Sequence, residues 1–161
     1  MSKPITREEL EALIKAKDWK AVESADVSQI KDVDMLFYEV KGIENLDLSN
    51  WDVSNVEDMN FMFYDSNFNG DISNWDVSNV ENMHGLFYDS KFDGDISNWD
   101  VSNVEDMDFM FYKTKLNGDI SKWRPYSCED FRNMFSDMSR FEELKRGAWR
   151  EIFEMRRLEA I

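Results

Sequence analysis

The chain has 161 residues, 42% of them hydrophobic and 14% aromatic, which suffices for a packed core and excludes a disordered polyelectrolyte. Its formal net charge is −15, and residues 25–122 account for it, with 21 Asp or Glu against 6 Lys or Arg. A surface so acidic repels phosphate backbones, so direct binding to nucleic acid or to an anionic membrane is not expected.

A lone cysteine, Cys128, excludes an internal disulfide, and no run approaches the roughly 20 apolar residues of a membrane span. The opening residues Met1 to Glu9 lack the apolar segment of a secretion signal, so the expected location is the cytoplasm.

Taken in order, residues 1–24 read as a helical cap. Thr6 with Glu9 is a capping box, and Leu10, Leu13 and Ile14 mark an apolar stripe that Trp19 and Val22 continue. Asp26 to Tyr38 then match Asp52 to Tyr64 position by position, as a degenerate first repeat. One phrase follows three times: Trp51-Asp52-Val53-Ser54-Asn55-Val56, Trp75-Asp76-Val77-Ser78-Asn79-Val80 and Trp99-Asp100-Val101-Ser102-Asn103-Val104. The period of 24 residues runs on to Trp123. A fixed period in the range of roughly 20–50 residues marks stacked units that cannot bury their apolar faces alone.

Two patterns alternate within a repeat. Leu46-Asp47-Leu48 and Gly70-Asp71-Ile72-Ser73 predict a short strand with Ile inward and Asp and Ser outward. Ser54 with Glu57, Ser78 with Glu81 and Ser102 with Glu105 read as capping boxes. Val56, Met59 and Met62-Phe63, with their counterparts, predict one or two helical turns. Asn69-Gly70, Asp93-Gly94 and Asn117-Gly118 predict turns with Gly at positive φ.

Trp123 begins a half-copy. Cys128, Phe131 and Met134-Phe135 take the Val, Met and Met-Phe places, and Pro125 replaces the Val after the Trp. Residues 136–161 predict a closing helix, capped by Ser139 and Glu142, with Phe141, Leu144, Ala148, Trp149, Ile152, Phe153 and Met155 on its apolar side. The expectation is a single domain, 1–161, forming an α/β repeat solenoid. It would hold about four 24-residue repeats and a terminal half-repeat in 25–135, between helical caps at 1–24 and 136–161.

The run Ile43-x-x-Leu46-x-Leu48-x-x-Trp51-x-Val53-x-x-Val56-x-x-Met59 fits the leucine-rich-repeat rhythm. The segment Phe68-Asn69-Gly70-Asp71-Ile72-Ser73-Asn74-Trp75-Asp76-Val77-Ser78-Asn79-Val80 resembles the repeat of BspA-like leucine-rich repeat proteins, also called the mycoplasma lipoprotein-type repeat. The resemblance covers about residues 26–135. It implies a leucine-rich-repeat-like fold and a binding rather than catalytic task, and many relatives are surface proteins implicated in adhesion. It supplies no site residues, and this chain shows neither the export signal nor the lipid-anchor Cys of such relatives.

The candidate partner-binding residues form two outward columns, Asp47, Asp71, Asp95, Asp119 and Asp52, Asp76, Asp100, with Tyr64, Tyr88 and Tyr112 as rim contacts. Parallel pairing sets like charges about 4.8 Å apart, at a cost of roughly 0.8 kcal/mol per pair in water, which a basic partner would relieve. The structural alternative is that these Asp side chains accept hydrogen bonds from turn N–H groups while the charge keeps the chain soluble.

Asp65 to Asp76 nearly satisfies a calcium-binding loop, but Lys91, Lys113, Lys115 and Arg124 stand at ligand places in the copies. Neither a metal nor another cofactor is expected. His84 shares a column with Asn60 and Asp108 and reads as solvent-facing, and Cys128 reads as core. Neither has a companion at catalytic spacing, so no enzyme is expected. Three functions fit these features: a module whose acidic face engages a basic partner protein, a phage-type nucleic-acid mimic that inhibits a DNA-binding or defence enzyme in a host cytoplasm, and a surface adhesin fragment.

Overall fold

The computed structural model describes residues 3–116, 118–131, 133–136, 142–144, 146–147 and 149–159. Helix α1 (Arg7–Ala16) starts at the expected capping box. Thr6 Oγ1 accepts the Glu9 amide at 3.2 Å and Glu9 Oε2 accepts the Thr6 amide at 2.9 Å. It stops at Lys17, whose left-handed φ of 56° ends the last turn. Helix α2 (Trp19–Glu23) follows, with Asp18 at its N-cap. Leu10, Ile14 and Val22 are buried, and the Val22 carbonyl accepts the Trp51 indole N–H at 3.0 Å. Arg7 ties α1 to the first layer by pairing with Asp32 at 2.5 Å and donating to the Asp34 carbonyl.

The α/β assignment of the repeats is overturned. Between residues 25 and 136 the described residues contain neither an α-helix nor a strand. They form turns, joined from layer to layer by isolated parallel bridges at Asp32–Asp58, Asp58–Asn82, Asn82–Asp106, Asp106–Asp130 and Phe111–Phe135. The leucine-rich-repeat strands expected at Leu46-Asp47-Leu48 and Gly70-Asp71-Ile72-Ser73 are not formed. The bridges lie instead in the stretch whose spacing predicted helix.

Chained turns explain that exchange. The Met62 amide donates to the Met59 carbonyl and the Ser66 amide to the Phe63 carbonyl, both at 3.2 Å. The third residues of these turns, Phe61 (φ 50°) and Asp65 (φ 44°), are left-handed, as in a type II turn. The pattern recurs at Met35 and Glu39, at Gly85 and Asp89, and at Phe109 and Lys113. A left-handed residue at every fourth position brings apolar side chains back to one side, as a helix does, but it leaves alternate amides pointing along the stack. The amides of Met59, Phe61, Phe63 and Asp65 accordingly donate to the carbonyls of Asn82, His84, Leu86 and Tyr88 at 2.8–3.0 Å.

The glycines also differ from expectation. Gly70, Gly94 and Gly118 do not have positive φ, and Asn117 lies outside the described residues. Gly70 is needed for close approach, because a Cβ there would collide with the Leu46 carbonyl oxygen and the Phe68 ring.

Aromatic columns fill the interior. The rings of Trp51, Trp75, Trp99 and Trp123 lie near parallel at successive spacings of 6.4, 6.4 and 6.5 Å. Phe37, Phe63, Phe87, Phe111 and Phe135 form a second column at 5.5–6.1 Å, and Phe63 meets Phe68 within its layer at 4.4 Å. Such ring pairs add about 0.5–1.5 kcal/mol each beyond burial. The indole N–H groups of Trp75, Trp99 and Trp123 donate to the carbonyls of Leu48, Ile72 and Ile96 in the preceding layer at 2.9–3.1 Å. Asn79 and Asn103 do the same through Nδ2 to the Ser54 and Ser78 carbonyls at 2.7 Å.

At the far end Cys128 is buried, and its Sγ donates to the Asp130 carbonyl at 3.3 Å. Trp149 and helix α3 (Arg150–Glu159) cover Phe131, with Trp149 and Phe153 at 6.4 and 5.1 Å from its ring. Ser139, Phe141, Ala148 and the side chain of Met155, all assigned to the closing helix from sequence, lie outside the described residues.

Candidate functional site

Ser54 caps no helix. Its amide and hydroxyl both donate to Asp52 Oδ1, at 3.1 and 2.6 Å, and Ser78 treats Asp76 alike at 3.1 and 2.7 Å. Asp100 accepts the Ser102 amide at 3.0 Å. In the other column Asp47 accepts both groups of Ser49, and Asp71, Asp95 and Asp119 accept the amides of Ser73, Ser97 and Ser121 at 2.9 Å. An Asp accepting from the amide two residues on is an Asx-turn. All seven carboxylates therefore define turns, and all seven residues are exposed.

In four of the seven, Asp47, Asp71, Asp76 and Asp95, those contacts favour the ionised carboxylate. The Ser49 hydroxyl and then its amide hold the Asp47 carboxyl below the ordinary range, and Ser78 acts on Asp76 in the same order. For Asp71 and Asp95 the amide of the following Ser is the larger cause, opposed by the carboxylate one layer back, Asp47 and Asp71 respectively. Asp47 and Asp52 share a groove of about 480 Å³ with Lys20, Glu23 and Asp26, where α2 meets the first layers.

The predicted rim tyrosines do not line that groove. They stand among the chained turns, where Tyr38, Tyr64, Tyr88 and Tyr112 stack at 4.5, 4.9 and 5.1 Å. His84 belongs to the same surface and is half-buried rather than solvent-facing. Its ring lies 4.9 Å from Phe61 and 5.9 Å from Phe109, and its Nδ1 is 3.3 Å from Asp106 Oδ2.

Sequence reasoning missed a third acidic column, Glu57, Glu81, Glu105 and Glu129. These residues are exposed and joined along the stack by amide-to-carbonyl bonds of 2.7–2.8 Å. The signal was their strict period, hidden because three of them read as capping-box partners. Lys31 pairs with the first, Glu57, at 2.5 Å. Nearby, Asp34 Oδ1 and Asn60 Oδ1 are buried without hydrogen-bond partners, and burial, followed by Asp58 and Asp32, pushes the Asp34 carboxyl up.

Among the described residues no three His, Cys, Asp or Glu side chains converge on a metal position. In the Asp65 to Asp76 loop, Asp65 pairs with Lys41 at 2.8 Å, Asn67 bonds with the Ile43 amide and Glu44, and Asp71 accepts from Ser73. No helix among the described residues is long and apolar enough to cross a membrane.

Layers of two dozen residues with aromatic interiors and aligned carboxylates outside define a repeat protein. Residues 9–115 and 67–158 match the family described as Mycoplasma protein of unknown function, DUF285, and the chain belongs to that family. No curated protein and no solved structure matches it.

Proposed function

We propose that this chain is a non-enzymatic binding module whose outward Asp columns engage a basic patch on a partner protein. One observation carries the reading: Asp47, Asp71 and Asp95 are exposed, recur once per layer and are kept ionised by serines of their own turns. A row of Lys or Arg laid along such a column relieves several like-charge repulsions together, which gives fast, salt-sensitive association. The likeness of the Phe68 to Val80 segment to BspA-like repeats supports a binding task.

The test is affinity capture from the native host with mass spectrometry, repeated with Asp71→Lys, Asp95→Lys and Asp119→Lys combined. The expected result is a partner with a basic surface that the charge-reversed protein no longer retains. Displacement of that partner by DNA would identify the chain as a nucleic-acid mimic. Equal recovery by both proteins would contradict the reading.

A further inference from the structure

We infer that the aromatic stripe formed by Met35, Phe61, Tyr64, His84, Tyr88 and Phe109 is a docking surface for a basic amphipathic helix of a partner protein. This goes beyond the Asp columns, since it requires apolar contact as well as charge.

The first ground is backbone strain where the core does not ask for it. Met35, Phe61 and Phe109 have φ of 54°, 50° and 57°. A left-handed conformation brings the Cβ too close to the neighbouring carbonyl oxygen, so it is unfavourable for any residue but glycine. Gly85, at φ 57°, fills the same place in the layer between Phe61 and Phe109, so the turn closes without a side chain there. A left-handed position ordinarily favours Gly or Asn, and the Phe61 ring lies over Gly85 where a Cβ would sit. Yet Phe61 and Phe109 carry rings that are only half-buried, and Met35 is 45% exposed. The Phe rings pack edge-on against His84, Tyr64 and Tyr112 at 4.9–5.9 Å, outside the interior columns. Strain retained for side chains that do not fill the core points to a task at the surface.

Charge and spacing name the occupant. Glu81 and Glu105, together with Glu57, which is paired with Lys31, precede the stripe in each layer, and Asp65 and Asp89, paired with Lys41 and Lys113, follow it. Anionic lipid and nucleic acid are repelled there, whereas a segment with apolar residues flanked by Lys or Arg fits both the rings and the rim. On this side of the stack the tyrosine rings repeat at 4.5, 4.9 and 5.1 Å, a mean of about 4.8 Å. A helix lying along the stack presents one side chain per turn of about 5.4 Å, a drift of about 1.8 Å over three layers. An extended strand presents same-face side chains about 6.8 Å apart and drifts about 6 Å over the same distance. Long side chains absorb the first mismatch and not the second.

The probe is a synthetic helix of about four turns with Leu on one face and Lys on the other, titrated calorimetrically into the full chain. A peptide with the same Lys positions and Ser in place of Leu measures charge attraction alone. Wild type should bind the Leu–Lys helix at least about tenfold more tightly than the Ser–Lys peptide. The Phe61→Gly/Phe109→Gly protein should lose that preference with an unchanged circular dichroism spectrum, and Phe61→Asn/Phe109→Asn is the second variant if glycine loosens the turns. The Asp71→Lys/Asp95→Lys/Asp119→Lys protein should keep the preference, which separates this surface from the Asp columns. No preference in wild type, or a preference that survives loss of both rings, would overturn the inference. So would a preference abolished only by charge reversal.

Discussion

On the side of the recurring Trp-Asp-Val-Ser-Asn-Val phrase, neighbouring layers are joined mainly by side chains, whereas on the side of the chained turns they are joined by the backbone. Trp75 and Asn79 each reach back to a carbonyl of the preceding layer. Across the molecule, the Met83, Gly85, Phe87 and Asp89 amides reach carbonyls of the following one. Where side chains make the bonds, residue identity must repeat. Where the backbone makes them, side chains are free to differ, and they do: Asn60, His84 and Asp108 share one column, and Phe61, Gly85 and Phe109 the next. The variable side is therefore where particular surface chemistry can be installed without loosening the stack.

The sharpest way to break this contrast is at the tryptophan column. Trp75→Ala should cost about 3–5 kcal/mol in urea unfolding, and Trp75→Phe about 1–3 kcal/mol because the Leu48 carbonyl is left unpaired. A smaller, cleaner comparison uses one substitution on both sides. Asn79→Ala should cost about 0.5–1.5 kcal/mol by removing a cross-layer donor. Asn60→Ala should leave stability unchanged or raise it, since its buried Oδ1 has no partner to lose. Equal effects at the two positions would erase the distinction.

Acid should reveal the smallest effects, with opposite signs. Asp47, Asp71, Asp76 and Asp95 have lowered folded-state values. The stability they contribute is present above the ordinary carboxylate value of about 4 and is lost as pH falls through their folded values. Asp34 is raised. Its ionisation opposes folding at neutral pH, and protonation relieves this as pH falls through its folded value. Asp34→Asn should therefore raise the melting temperature at pH 7, and the gain should disappear once Asp34 is protonated in the parent protein.

Which side chains enter the core was legible in the sequence, because Trp75, Val77, Val80, Met83 and Phe87 recur at fixed offsets from their copies and all are buried. Backbone conformation was not. Apolar spacings of three and four serve chained turns as well as a helix, and Gly85 alone marks the left-handed position that distinguishes them. Ser54 and Glu57 imitate a capping box, but the Ser54 hydroxyl donates to Asp52 and closes a turn instead. The Asp columns could be read from their period. The aromatic stripe could not, because no sequence pattern places Phe61 and Phe109 on either side of the His84 ring.

Hydrogen exchange at the indole nitrogens, followed by NMR on the labelled protein, tests the stacking most directly. The Trp51, Trp75, Trp99 and Trp123 indole protons, buried and bonded to carbonyls of the preceding segment, should exchange only with opening of the stack, far more slowly than that of half-exposed Trp19. Exchange of those four protons as fast as that of Trp19 would contradict a fold in which each layer hangs from the one before it.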